Sequence, residues 1–194
     1  MSRILFSVLA LSLVQVALAE DSKKDPLTAI KAMTEAATPS SEHRKLEPLV
    51  GSWTYVCKAW MDPSKPAMES TGTIERKWIL GKRFIEEKVS GTNFDGSSGF
   101  EGLGTIGYDN AQKKYTTSWI CTMCTGSSTG VGKSDDAGKE FSFETEGFCP
   151  IEKKLIKGRE ELKIESPDKT VMTSYHTVDG KEVKAMEIVA IRRR

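Results

Sequence analysis

The sequence predicts an all-β protein: a closed or nearly closed antiparallel barrel of about ten strands, preceded by a short helical segment. Three observations carry that prediction. From Gly51 to the C-terminus no stretch repeats apolar residues at helical spacing, short segments of strand length recur between turn residues, and one hairpin declares its own register. In that hairpin, residues 73–80 and 83–89 flank Gly81-Lys82, and glycine at the first central position of a two-residue loop admits a type II′ turn. Pairing residues whose numbers sum to 163 opposes Glu75 to Lys88, Arg76 to Glu87 and Lys77 to Glu86, whereas a one-residue slip opposes Glu75 to Glu87.

Taken in chain order, residues 1–19 read as a signal peptide. Arg3 supplies the charged start, Ile4 to Leu18 is an almost wholly apolar run, and Ala17-Leu-Ala19 is a small-x-small cleavage pattern. The run is shorter than the roughly 20 apolar residues that span a bilayer, so no stable membrane anchor is expected. Cleavage after Ala19 implies a periplasmic or secreted protein. Residues 20–41 form a linker with a short helix: Glu20 to Asp25 is charged, and Pro26 to Ala37 opens with proline in the first turn. Residues 42–194 form one barrel domain, with Ser40 to Leu46 restarting a helical turn or two under a serine N-cap and Pro48 ending it. Such a helix before the first strand is suited to plug one barrel mouth. The strands expected are 51–60, 69–79, 83–90, 100–108, 114–124, 127–133, 139–148, 154–165, 170–177 and 182–192. Asp109-Asn110, Asp135-Asp136-Ala-Gly138, Ser166-Pro167-Asp168 and Asp179-Gly180 mark turns between them, the last a type I′ signal.

Lys and Arg number 28 against 27 Asp and Glu, and cleavage removes only Arg3 among them. A balanced chain offers no global field for nucleic acid, so none is expected as a partner. Several chemistries are disfavoured by context. Gly102-Leu-Gly-Thr-Ile-Gly107 has the letters of a dinucleotide fingerprint, but a further strand follows where a helix N-terminus would have to hold the pyrophosphate. Glycine-permitted curvature of a barrel strand, or room for a facing aromatic such as Trp119, accounts better for those glycines. Cys121-Thr-Met-Cys124 lacks the helix N-terminus of a redox pair and the histidine of a c-type haem site, and Cys57 and Cys149 stand singly rather than as a second zinc-binding pair. The two histidines, His43 and His176, read as surface residues, and an inward haem-ligating His176 would need an apolar wall that is not evident. No catalytic residues, metal ligands or cofactor are assigned.

Glu42 to Trp53, Trp60-Met-Asp-Pro63, Glu75-Arg-Lys-Trp-Ile-Leu-Gly81, Gly107-Tyr-Asp-Asn110, Lys114 to Trp119 and Asp179-Gly-Lys-Glu182 together resemble a bacterial family called domain of unknown function 1579, over about Glu42 to Arg192. The resemblance implies a lipocalin-like, or calycin-like, barrel with no established activity. The chain departs from the family pattern at Trp119-Ile-Cys-Thr-Met-Cys-Thr-Gly126, where Trp-Ile-Asp-x-Met-Ser-Thr-Gly is expected.

Aromatic residues are spread over several strands, and Tyr115, Thr117, Trp119, Cys121 and Met123 share one strand face. In a barrel that face points inward, where it fills a core or lines a cavity. The function expected is an exported, non-enzymatic module that holds a small apolar or amphipathic ligand, with Trp78, Tyr108 and Trp119 as wall and Arg159 as polar anchor. Alternatives are an enzyme using an interior Arg/Glu/Tyr set and a structural protein with a filled barrel. Two further contacts are expected. Because lipocalin-like folds often lay a basic side chain of the last strand over a tryptophan of the first, the resemblance implies that Arg192 or Arg193 stacks on Trp53 and closes the barrel. If Ser134 pairs with Lys139, the same register opposes Cys124 to Cys149, within reach of a disulfide.

Overall fold

The structure, a computed structural model, describes residues 25–149, 153–178 and 180–194. The signal peptide expected over residues 1–19, most of the charged stretch after it, and Asp179 of the last hairpin lie outside the described residues.

Ten antiparallel strands close a barrel: β1 (Gly51–Ala59), β2 (Met68–Ile79), β3 (Phe84–Thr92), β4 (Ser98–Asp109), β5 (Lys114–Cys121), β6 (Ser128–Ser134), β7 (Glu140–Cys149), β8 (Lys154–Ser166), β9 (Lys169–Val178) and β10 (Lys181–Arg192). Each strand pairs with its sequence neighbours, and β1 pairs with β10 to close the ring. Closure leaves no exposed sheet edge. The β2–β3 register is the one that the charges demand, with Glu75 opposite Lys88, Arg76 opposite Glu87 and Lys77 opposite Glu86. The turn itself differs from expectation. φ is positive at Leu80, Gly81 and Lys82, at 49°, 64° and 65°, whereas a type II′ turn has positive φ at its first central residue alone.

The β6–β7 register also differs. Ser134 lies opposite Phe141 rather than Lys139. The cause is local: the Asp135 carboxylate accepts the backbone N–H groups of Lys139 at 2.7 Å and Glu140 at 3.0 Å, which draws both residues into the turn and moves the partner of Ser134 two places along β7. The expected Cys124–Cys149 pairing loses its basis, since β6 begins only at Ser128 and Cys149 lies opposite Lys154 of β8. None of the four cysteines forms a disulfide in the structure.

Helix α1 (Pro26–Ala37) lies outside the barrel with no buried residue, tethered where the Asn110 side chain donates to the carbonyls of Ala36 and Thr38. Helix α2 (Ser41–Arg44) and the 3₁₀ turn Glu47–Leu49 plug one mouth. Ser40 caps α2, its backbone N–H donating to His43 Nδ1 at 3.0 Å. The plug drives Leu46 and Leu49 into a cluster with Ile85, Tyr115, Phe141 and Phe143, all buried. His43 belongs to this plug and is buried, with Tyr108 against it edge-on at 5.9 Å; the expectation of a surface residue is therefore corrected. Burial, with the Arg83 charge adding, holds its imidazole below the usual pKa. Closure is locked by Arg192, whose guanidinium stacks 4.1 Å from the centre of the fully buried Trp53 ring and donates to the carbonyls of Val50 and Pro48 at 2.7 Å each. The Trp53 indole N–H donates to the Leu49 carbonyl at 3.0 Å, tying the first strand to the plug.

Candidate ligand cavity in the barrel

Away from the plug the inward faces do not meet, and they enclose a cavity of about 300 Å³. Its wall is mainly apolar, with Tyr55, Val89, Phe100, Trp119, Phe143, Leu162, Met186 and Ile188 contributed by β1, β3, β4, β5, β7, β8 and β10. Asn93, Phe94 and Met123, from the loops after β3 and β5, form its rim at the end opposite the plug. The space persists because large rings lean against the wall. A Cβ added at Gly102 would sit 2.3 Å from the Trp119 ring and one at Gly104 3.0 Å from it, so these glycines let the indole lie flat on β4. Likewise a Cβ at Gly91 would meet the Tyr55 hydroxyl at 2.4 Å. The fingerprint-like run from Gly102 thus serves aromatic packing, one of the two accounts that its sequence context offers.

Among the described residues three charged side chains line this cavity, none of them assigned from the sequence. Arg76 on β2 pairs with Glu87 on β3, its guanidinium lying 5.6 Å from the centre of the Trp53 ring, and its Nη1 is buried without a hydrogen-bond partner. Glu160 on β8 is the third. Its carboxyl makes no hydrogen bond or ion pair among the described residues, and burial, with the Glu87 charge adding, pushes its pKa up to about 6. Burial also raises the Cys57 thiol to about 11, so it stays protonated at neutral pH.

Of the expected ligand-contacting residues, Trp119 lines the cavity and the other three lie elsewhere. Trp78 and Tyr108 face inward but pack against the plug: the Trp78 indole donates to Glu47 at 2.7 Å, and Tyr108 meets Tyr115 edge-on at 4.8 Å. Arg159 is on the outer face. There it lies over the Tyr175 ring at 4.2 Å and pairs with Glu182 at 2.6 Å and with Glu161. The reason is strand parity, because Glu160 and Leu162 line the cavity and Arg159 must point the other way. Apolar Ile156, Leu162 and Ile164 share the parity of Glu160, and that alternation was the signal that could have placed both residues. Arg76 was equally accessible, since it lies two residues from the inward Trp78. His176 is exposed and does not line the cavity. Among the described residues no group of three or more His, Cys, Asp or Glu side chains is placed to hold a metal ion, and no helix is long and apolar enough to cross a membrane.

The sequence profile of the family described as "Protein of unknown function (DUF1579)" matches residues 38–192. The chain belongs to this family. No curated protein sequence matches it. Among solved structures it is similar to Rv2717c from M. tuberculosis, with 16% identity, a TM-score of 0.60, and coverage of 81% of this chain and 100% of that one. It is also similar to the S-type phycobiliprotein lyase CPES from Guillardia theta, with 14% identity, a TM-score of 0.53, and coverage of 80% and 99% respectively. At these identities the likeness establishes the barrel fold, which the family member described here shares.

Proposed function

We propose that the protein is an exported, non-enzymatic binding module that holds a small apolar or amphipathic molecule inside the barrel. The observation that carries this reading is the cavity itself. It is plugged at one end, rimmed by loops at the other, walled by apolar side chains and supplied with a few polar groups, which is the build of a small-molecule site. Its volume of about 300 Å³ is at the small end of such pockets, so it suits a compact ligand or one short chain. The charged start, apolar run and small-x-small pattern of residues 1–19 support export. That a barrel of similar fold serves as a phycobiliprotein lyase is in keeping with a lumen used for a small molecule.

Native mass spectrometry of protein purified from its own host tests the reading, with a retained adduct expected. In parallel, tryptophan fluorescence should change when compact apolar probes are added and should cease to respond in Trp119→Phe. Absence of both an adduct and any responsive probe would overturn it. One observation favours a second reading, an enzyme that uses the interior for proton transfer: Glu160 has a pKa of about 6 and shares the lumen with Arg76 and Glu87. Turnover of a bound molecule that is lost in Glu160→Gln would distinguish it.

A further inference from the structure

The interior charges bear on which molecules the lumen prefers. In a closed ring of ten strands, β3 and β8 are five steps apart by either route, so Glu87 and Glu160 project from opposite walls. Arg76, next to Glu87 on β2, pairs with it through Nε, while its Nη1 stays buried without a partner. Glu160 has no such partner, and its residual accessible surface opens on the lumen. The other titratable groups that face the space are Tyr55 and Cys57 from β1 and Cys121 from β5, while β4, β6, β7, β9 and β10 contribute none among the described residues. One guanidinium is thus set against two carboxyls. A ligand carboxylate would bring a third acid to a guanidinium that is already paired, whereas a ligand ammonium would balance the charge and give Glu160 a charge-assisted hydrogen bond. The aromatic wall reinforces this, since ring faces attract cations and not anions.

We propose that Glu160 is the anchor for a basic nitrogen, and that the ligand class the lumen prefers is an amphipathic cation, an apolar body bearing one ammonium group. The proposal rests on the reading of the lumen as a binding cavity. It gives the unpartnered, half-buried carboxyl a role that barrel stability does not, because an acid withdrawn from bulk water without a partner weakens the fold that contains it.

Calorimetric titration of the full chain with three probes of one tail, octylammonium, 1-octanol and octanoate, tests it. At about pH 7.5 octylammonium should bind about tenfold more tightly than octanol, and octanoate more weakly than octanol. The amine stays protonated throughout, so any pH dependence reports Glu160. Since its carboxyl has a pKa of about 6, the amine preference should shrink below that pH and level off above it. Glu160→Gln should bring octylammonium to about the affinity of octanol in the same variant and remove the pH dependence, its fold being checked by thermal melting. Glu161→Gln, on the outer face of the same strand, should change nothing. Octanoate binding as tightly as octylammonium, or an amine preference that survives in Glu160→Gln, would overturn the proposal. Octanol binding without an amine preference would sink it and leave the binding reading standing, whereas no binding of any probe would remove both.

Discussion

The plugged and open ends of the barrel are made from the same strands, and the inward residues change character along them. Toward the plug, β5 presents Tyr115, β7 Phe141 and β4 Tyr108, and their rings meet edge to face at 4.8–5.1 Å around Leu46 and Leu49. Farther along, β5 presents Thr117 and Trp119, β7 Thr145 and β4 Gly104, and the space between them stays open. The difference is one of volume supplied per layer. Large residues facing one another fill a cross-section, whereas a large ring backed by glycine lies along the wall and leaves the centre empty. A filled layer and a hollow one are thereby separated within one sheet, and the separation can be tested at each end.

The largest expected effect is at the plug. Phe141→Ala should destabilise the fold by about 3–5 kcal/mol, because the cavity it creates is enclosed on all sides. Met186→Ala, whose side chain already borders open space, should cost about 1 kcal/mol. Equal losses in denaturant unfolding would show that the lumen is as tightly packed as the plug. Next comes the closure: removing Ile191 to Arg194 should cost about 2 kcal/mol by taking away the cation–π contact and the guanidinium hydrogen bonds to the plug. The melting temperature should fall by about 4–8 °C, and an unchanged value would remove this contact from the account of stability.

A smaller effect, and one of opposite sign, is expected at the open end. The Glu160 carboxyl has its pKa raised from 4.5 to about 6 in the folded state, so its burden on stability is absent below about pH 4.5 and grows as pH rises through 6. Glu160→Gln should therefore stabilise the protein by about 1–2 kcal/mol at pH 8 and by nothing at pH 4. Equal stabilisation at both values would exclude titration as the cause. The smallest effect belongs to His43. Burial lowers its pKa from 6.5, so the unfolded chain takes up protons first and stability falls as pH drops below 6.5. In His43→Gln that part of the pH dependence should disappear from melting curves recorded across the range.

Legibility in the sequence tracked the range of the interaction concerned. The strands and the β2–β3 register were readable because opposite charges and a nearby turn constrain neighbouring residues. The stacking of Arg192 or Arg193 on Trp53 was expected through the lipocalin-like resemblance, and closure of β1 on β10 brings Arg192 into place. The β6–β7 register was misjudged because one carboxylate, Asp135, captures two backbone N–H groups and widens its turn, a choice that composition does not reveal. Arg159 was placed on the wrong face by a single residue, although the alternation of Ile156, Leu162 and Ile164 held the answer.

By itself the sequence determined which segments become strands, that they pair in order, and that a helical turn precedes the first. Those outcomes depend on local period, turn chemistry and adjacent charge. Only the tertiary structure decided that one end is filled and the other hollow, that Trp78 and Tyr108 belong to the filled end, and that Glu87 and Glu160 face each other across the lumen. These depend on the positions of residues along and around the closed ring. Side chains tens of residues apart meet, or fail to meet, only once the strands have closed.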